Sequence, residues 1–266
     1  FFFKQKTAYE IPKRDWSSDV CSSDLISLPK IIYSTTCMIE LKNITFTYDK
    51  VPVLQNLNGI FEMPSVHGIV GLNGAGKTTL FGLLAGVLKL QSGEKLLSGN
   101  NISRNDCAYL ETHNYFYSNL TGKEYLRLFK QNNSSLDSDL FSNLLQLPLD
   151  ELIETYSTGM RKKLALVAVL MQERSFYVFD EPFNGLDLES NKVLEIVIEK
   201  LKEKNKTIFI SSHILEPLLT VCDKIHYLDN KSIKASFDRS QFAQIEHELF
   251  SHFRSKAKDV IDKAMR

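Results

Sequence analysis

Eight residues, Gly71, Leu72, Asn73, Gly74, Ala75, Gly76, Lys77 and Thr78, have the spacing of a phosphate-binding loop. Gly74 and Gly76 let backbone N–H groups turn inward and approach phosphate oxygens closely. A helix opening at Lys77, Thr78 and Thr79 adds the positive end of its dipole. Lys77 is then expected to reach the β- and γ-phosphates, and the Thr78 hydroxyl to ligate Mg²⁺. By itself the loop specifies only a nucleoside triphosphate, since kinases, GTPases and motors share it.

The elements needed to hold such a loop are legible around it. Val66–Val70 is a short apolar run that reads as a strand, and residues 79–89 carry Leu80, Leu83, Leu84, Val87 and Leu88 at helical spacing. Residues 39–48 are β-branched and aromatic with partial alternation, a further strand. Thr121 to Glu124 matches a capping box before Tyr125, Leu126, Leu128 and Phe129. Residues 132–139 are polar and read as a loop. Residues 164–171 read as a buried helix, Phe176–Phe179 as a buried parallel strand, 188–204 as an amphipathic helix and 207–211 as another buried strand. Phe242, Ile245, Leu249, Phe253, Ala257 and Val260 form an apolar stripe on a C-terminal helix. Strands alternating with helices predict an α/β domain on a largely parallel sheet.

Further chemistry follows downstream. Asp180 ends the apolar strand, where a carboxylate is costly unless paired or near a metal, so it is a candidate metal holder. Glu181 follows at the strand tip, either as the base that orients an attacking water or as one half of a surface salt bridge. Tyr156, Ser157, Thr158, Gly159 and Met160 precede the helix before that strand, and Asn184, Gly185, Leu186, Asp187 and then His213 come after it.

Taken in order, these motifs resemble the nucleotide-binding domain of ABC (ATP-binding cassette) transporters over roughly residues 38–237. The resemblance implies a P-loop NTPase cassette: a mostly parallel sheet core, an antiparallel β subdomain and an inserted α-helical subdomain at about 113–172, with an amphipathic extension at 238–266. It implies that Tyr48 stacks on adenine, although a sheet aromatic facing the core is the alternative. His213 would contact the γ-phosphate. Ser157, Gly159 and Asp187 would meet the ATP of an opposite cassette, so one chain carries two half-sites and a working enzyme is a homodimer or heterodimer. The signature departs from the family's usual Leu-Ser-Gly-Gly-Gln at Thr158 and Met160, in the manner of ABC-2-type and drug exporters. The family's glutamine after the strand Cys107–Leu110 falls on Thr112, with Glu111 beside it as a possible substitute at the metal. Residues 115–121, with Tyr115, Phe116 and Tyr117, would dock a transmembrane permease subunit, or any one ring would simply pack locally. The implied role is ATP hydrolysis driving transport, export in direction, on the cytoplasmic face of a membrane. A soluble ABC ATPase acting on ribosomes or DNA is the alternative, and an adjacent reading frame with six spans would separate the two.

Composition sets the outer bounds. The 266 residues carry 32 basic and 32 acidic side chains, so there is no polyanion-binding field and no nucleic-acid partner is expected. Residues 1–25 resemble a translated sequencing-library adapter, and residues 1–37 are expected to be a non-native leader with Met38 the natural start. Setting them aside removes five basic and four acidic residues, leaving a net charge of −1, and takes away Trp16, Cys21 and Cys37. Cys107 and Cys222 then remain, in no metal-ligand spacing, and a reducing compartment is expected.

Overall fold

Strand tips decide where the chemistry of this chain can happen. The computed structural model describes residues 37–130 and 136–245, together with 261, 264 and 265. The leader at 1–36, the polar segment at 132–135 and the stripe residues Leu249, Phe253, Ala257 and Val260 lie outside the described residues.

A four-stranded antiparallel sheet is ordered β2 (Val51–Glu62), β1 (Met38–Tyr48), β4 (Ser92–Leu97), β5 (Asn100–Asn101). A six-stranded sheet is ordered β10 (Ser232–Asp238), β9 (Lys224–Asp229), β3 (Val66–Val70), β8 (Thr207–Ser212), β7 (Phe176–Phe179), β6 (Cys107–Leu110). In the second sheet β9, β3, β8, β7 and β6 run parallel and only β10 is antiparallel. Parallel strands place all their C-terminal ends along one edge, and ligands of open α/β sheets bind outside those ends. The residues that follow β3, β6, β7 and β8 are Gly71, Glu111, Asp180 and His213.

Side chains alternate across the large sheet, so each face buries its own core. Ile69, Phe176, Val178 and Phe209 pack with α1 (Lys77–Leu84) and the antiparallel sheet. Val66, Tyr177, Phe179 and Ile208 pack with α4 (Thr158–Leu170), α5 (Leu188–Glu203) and α6 (Leu215–Val221). Between β6 and β7 a separate apolar cluster joins Tyr125, Leu126, Leu145, Ile153, Leu164 and Val167, drawn from α2 (Gly122–Arg127), the segment after α3 (Ser138–Leu144), and α4.

Several expected boundaries move. The helix expected over 79–89 stops at Leu84, because Gly86 takes φ 71° and the N–H groups of Val87 and Leu88 both turn back to the Gly82 carbonyl. Val87 is therefore exposed rather than core. The polar run ends early, since Asp137 caps α3 by accepting from the N–H groups of Asp139 and Leu140. The buried helix expected at 164 begins six residues sooner, with Ser157 as its cap. The Thr121 capping box forms as expected.

Upstream of the phosphate loop, β3 is tied to β9 by a buried histidine pair. A carbonyl can only accept, so His67 Nε2–H donates to the Glu62 carbonyl (2.9 Å). Its Nδ1 then accepts from His226 Nε2–H (3.1 Å), and His226 Nδ1 accepts from the Ser236 hydroxyl (2.8 Å). The chain of bonds needs both rings neutral. Burial pushes His67 down to about 4 and His226 to about 3. Between pH 6.5 and 4 the unfolded chain therefore binds more protons than the folded one, so stability is complete above pH 6.5 and falls on acidification, by about 1–2 kcal/mol per histidine at pH 5. Melting temperatures taken from pH 7 to 4.5 should drop more steeply for the natural chain than for a His67→Gln, His226→Gln variant.

Candidate functional site

The phosphate loop leaves β3 and enters α1 through Gly76, whose φ of 104° is open to glycine and costly for other residues. A pocket of about 430 Å³ opens over it, lined by Tyr48, Val53, Asn73, Gly74, Ala75, Gly76, Lys77, Thr78, Thr79, Thr112, Glu181 and His213. Residues far apart in sequence thus share one cleft, as expected from the strand tips. Tyr48 is half-exposed at its rim, with its ring edge-on to Phe46 at 5.0 Å, so it is available for stacking and is not a core aromatic. Gly71 and Leu72 are not walls of the pocket. Their carbonyls accept from Lys77 Nζ, at 2.8 and 3.4 Å.

Lys77 is mostly buried, and burial pulls its pKa below the usual lysine range while the charges of Glu181 and Asp180 oppose the shift. A largely buried ammonium on a pocket wall attracts anions into that pocket. Its distance to Glu181 Oε1 is 4.0 Å.

Asp180 is fully buried. Its Oδ1 accepts from the Ser211 hydroxyl, and Ser211 Oγ in turn accepts from the Glu181 N–H at 2.8 Å. Its Oδ2 has no hydrogen-bond partner among the described residues. The Tyr109 hydroxyl is a loose donor toward the same carboxylate without satisfying Oδ2, and burial, the charges of Asp180 and Glu111 and that contact raise its pKa. A buried carboxylate oxygen without a well-formed hydrogen bond, on the residue before the pocket-lining Glu181, fits a hard cation, and the Thr78 hydroxyl on the pocket wall supplies a second ligand of the right type.

Glu181 stands at φ 50°, a left-handed conformation unusual for this residue. One oxygen, Oε2, accepts from the His213 N–H (3.2 Å), His213 Nδ1 (2.9 Å) and Asn184 Nδ2 (3.3 Å). The other, Oε1, carries none of these bonds and faces Lys77. Glu181 is 12% exposed, and its contacts with His213 Nδ1 and Lys77 Nζ lie within the pocket rather than on the open surface.

The two residues after β6 part company. The Thr112 hydroxyl donates to the Asp180 carbonyl at 3.5 Å and lines the pocket. Glu111 instead lines a neighbouring groove of about 380 Å³, together with Tyr109, Tyr115, Tyr117, Tyr125 and others, and its charge raises the Tyr125 pKa there after burial. The structure places Glu111 off the pocket wall, so Glu111 would reach a metal there only if this loop shifted.

Ser157, Gly159 and Asp187 take no part in the pocket. Ser157 caps α4 by accepting from the Met160 N–H (3.2 Å). Asp187 caps α5 and pairs with Lys163 at 2.8 Å, and these bonds hold its carboxyl well below the usual range. They form a separate surface within the chain. Of the rings at 115–117, Phe116 packs locally on Tyr125, while Tyr115 and Tyr117 are exposed and contact each other edge-on at 5.7 Å.

Two residues beyond the sequence expectations belong to the site. Ser211 bridges Asp180 and Glu181, and Lys162 donates to the Glu181 carbonyl and to the Asn184 carbonyl (2.8 Å), with burial pulling its pKa down to about 8. A serine ending a buried strand and a lysine at an apolar helix position were the available signals.

Residues 54–184 match the family model described as ABC transporter. The chain is 32% identical over 200 residues to the bacitracin transport ATP-binding protein BcrA of Bacillus licheniformis, covering 71% of this chain and 65% of that one. A solved ATP-binding subunit of an ABC transporter superposes with a TM-score of 0.70 at 26% identity, over 80% of this chain and 93% of that one. The dimeric cassette MJ0796, bound to ADP and phosphate after hydrolysis, shares the fold with a TM-score of 0.68 at 19% identity, over 76% of this chain and 98% of that one. The matched stretch, which contains the loop, Asp180 and Glu181, is an ABC transporter ATP-binding domain.

Proposed function

We propose that residues 38–237 form one cassette of an export-type ABC transporter, acting as a dimer beneath a separate transmembrane subunit. The observation that carries this reading is the division of the motifs. Residues 73–78 of the phosphate loop, Glu181 and His213 share a pocket, with Asp180 buried next to Glu181, while Ser157, Gly159 and Asp187 lie outside it and need another molecule's nucleotide to act on. The export direction rests on the departures at Thr158 and Met160. No helix among the described residues is long and apolar enough to cross a membrane.

In this reading Lys77 and the loop N–H groups hold the β- and γ-phosphates and Tyr48 stacks on the base. Thr78 and Asp180 would hold Mg²⁺, whose charge offsets that of the phosphates. Glu181 Oε1 takes the proton of the attacking water. Its Oε2 is fixed by three donors, so the carboxylate cannot rotate away from the γ-phosphate direction. The partner cassette's copies of Ser157 and the N–H groups opening α4 would close over the same phosphate. Tyr115 and Tyr117, exposed on the groove beside Glu111, provide the docking surface for the membrane subunit.

Co-expression with a candidate transmembrane exporter subunit tests the reading. Tyr115→Ala with Tyr117→Ala should abolish co-purification and stimulated turnover, with basal ATPase of the isolated chain kept within about twofold, because neither ring touches the nucleotide pocket. Undiminished capture and stimulation would remove this surface from the coupling.

A further inference from the structure

We infer that Lys162 is a positioning residue for hydrolysis: from the first turns of α4 it fixes the backbone that aims Glu181, and so mechanically joins the pocket to the surface presented by Ser157. This rests on the reading of Glu181 as the base.

Three contacts carry the inference. Lys162 Nζ donates to the Glu181 carbonyl and, at 2.8 Å, to the Asn184 carbonyl. The Glu181 carbonyl also accepts from the Asn184 N–H at 3.3 Å, so the turn 181–184 closes around the ammonium. Next to it, a Cβ at Gly159 would lie 2.9 Å from the Gly185 carbonyl, showing that the opening of α4 and this turn touch backbone to backbone. One residue on, Lys163 pairs with Asp187 at the far end of the same loop. The start of α4 and the segment 181–187 therefore form one clip, with Lys162 its buried member at 8% exposure.

A purely structural filler would not be an ammonium, since burying one is costly unless its donors are used. Here they are used on main-chain oxygens of the very residue that holds a left-handed φ of 50°. Rotating that peptide would carry the Glu181 side chain away from Lys77 and from its His213 and Asn184 donors. Because Ser157 caps the same helix, any shift imposed on that surface by a second cassette reaches the base through this lysine.

The test compares Lys162→Met, Lys162→Arg and Lys162→Gln in the full chain, reading kcat, KM for ATP, nucleotide affinity with a fluorescent ATP analogue, and Tm. Lys162→Met should lower kcat by on the order of 10²-fold while KM and analogue affinity change less than about threefold, the pattern of a displaced catalytic group. Lys162→Arg, which keeps charge and donors, should recover much of the rate, and Lys162→Gln, neutral and shorter, should fall between. If Lys162→Met is too unstable to assay, the Arg and Gln variants carry the same comparison. In a Glu181→Gln background Lys162→Met should cost almost nothing further, because both act on one group. Unchanged kcat in Lys162→Met, failure of arginine to rescue a stably folded protein, or multiplicative losses in the double variant would each overturn the inference. Normal turnover by Glu181→Gln alone would instead overturn the assignment of the base, which separates the two failures.

Discussion

Glu181→Gln should leave ATP bound and nearly stop its hydrolysis. The substituted side chain keeps the shape of the original, so its amide oxygen can still accept from the His213 N–H, His213 Nδ1 and Asn184 Nδ2. Its amide nitrogen then takes the place of Oε1, 4.0 Å from Lys77 Nζ, and has no basic lone pair for a proton. Loss of a positioned base costs about 10²–10⁴-fold in turnover. Binding behaves differently. Removing a carboxylate beside Lys77 leaves that buried ammonium with less competing negative charge, so affinity for a polyanion should hold or improve. The expected signature is a large drop in kcat, an unchanged or lower Kd for ATP, and an ATP-dependent dimer that survives size-exclusion chromatography. Near-normal turnover would take Glu181 out of the mechanism, and a loss of ATP affinity in step with kcat would show that the residue serves binding instead.

What the sequence disclosed of this site depended on how local each interaction is. The loop residues are contiguous, and β3, β6 and β7 are apolar runs whose ends are marked by a change to glycine or acid, so their tips could be placed to the residue. β2 was illegible because its twelve residues include a proline and a glycine, and its pairing with β1 is broken by register shifts that spoil the alternation. The β9–β10 hairpin turns through Asn230 and Lys231 at φ 43° and 69° without any glycine to announce it. Ser211 and Lys162 act on partners 31 and 19 residues away, across strands or between a helix and a loop, and no spacing rule reaches that far. Thr112 and Glu111 could be assigned to the right loop but not to their sides of it, because they follow the end of β6 where the chain bends and no strand alternation applies.

The glycines of the phosphate loop should separate into two kinds when each is changed to alanine. A Cβ at Gly71 would lie 2.4 Å from the Leu228 carbonyl on β9 and 3.2 Å from the Ala75 Cβ. Both obstacles are held in place, one by the sheet and one by the loop's own turn, so the backbone must move. Overpacking of this kind costs about 1–3 kcal/mol, or a fall in Tm of roughly 3–10 °C for a domain of this size. Gly74 has nothing within 4 Å of such a Cβ, and its penalty comes only from the left-handed φ of 80°, about 1–2 kcal/mol at most. That residue lines the nucleotide pocket and Gly71 does not. Gly71→Ala should therefore register first in thermal unfolding, with ATP affinity falling only as far as the displaced loop carries Lys77 with it. Gly74→Ala should melt closer to the natural chain yet bind ATP at least about tenfold more weakly, because a methyl group and a relaxed φ both intrude where the loop N–H groups must meet phosphate. If the two variants show the same ratio of stability loss to affinity loss, the packing of Gly71 against β9 is not what fixes a glycine at that position.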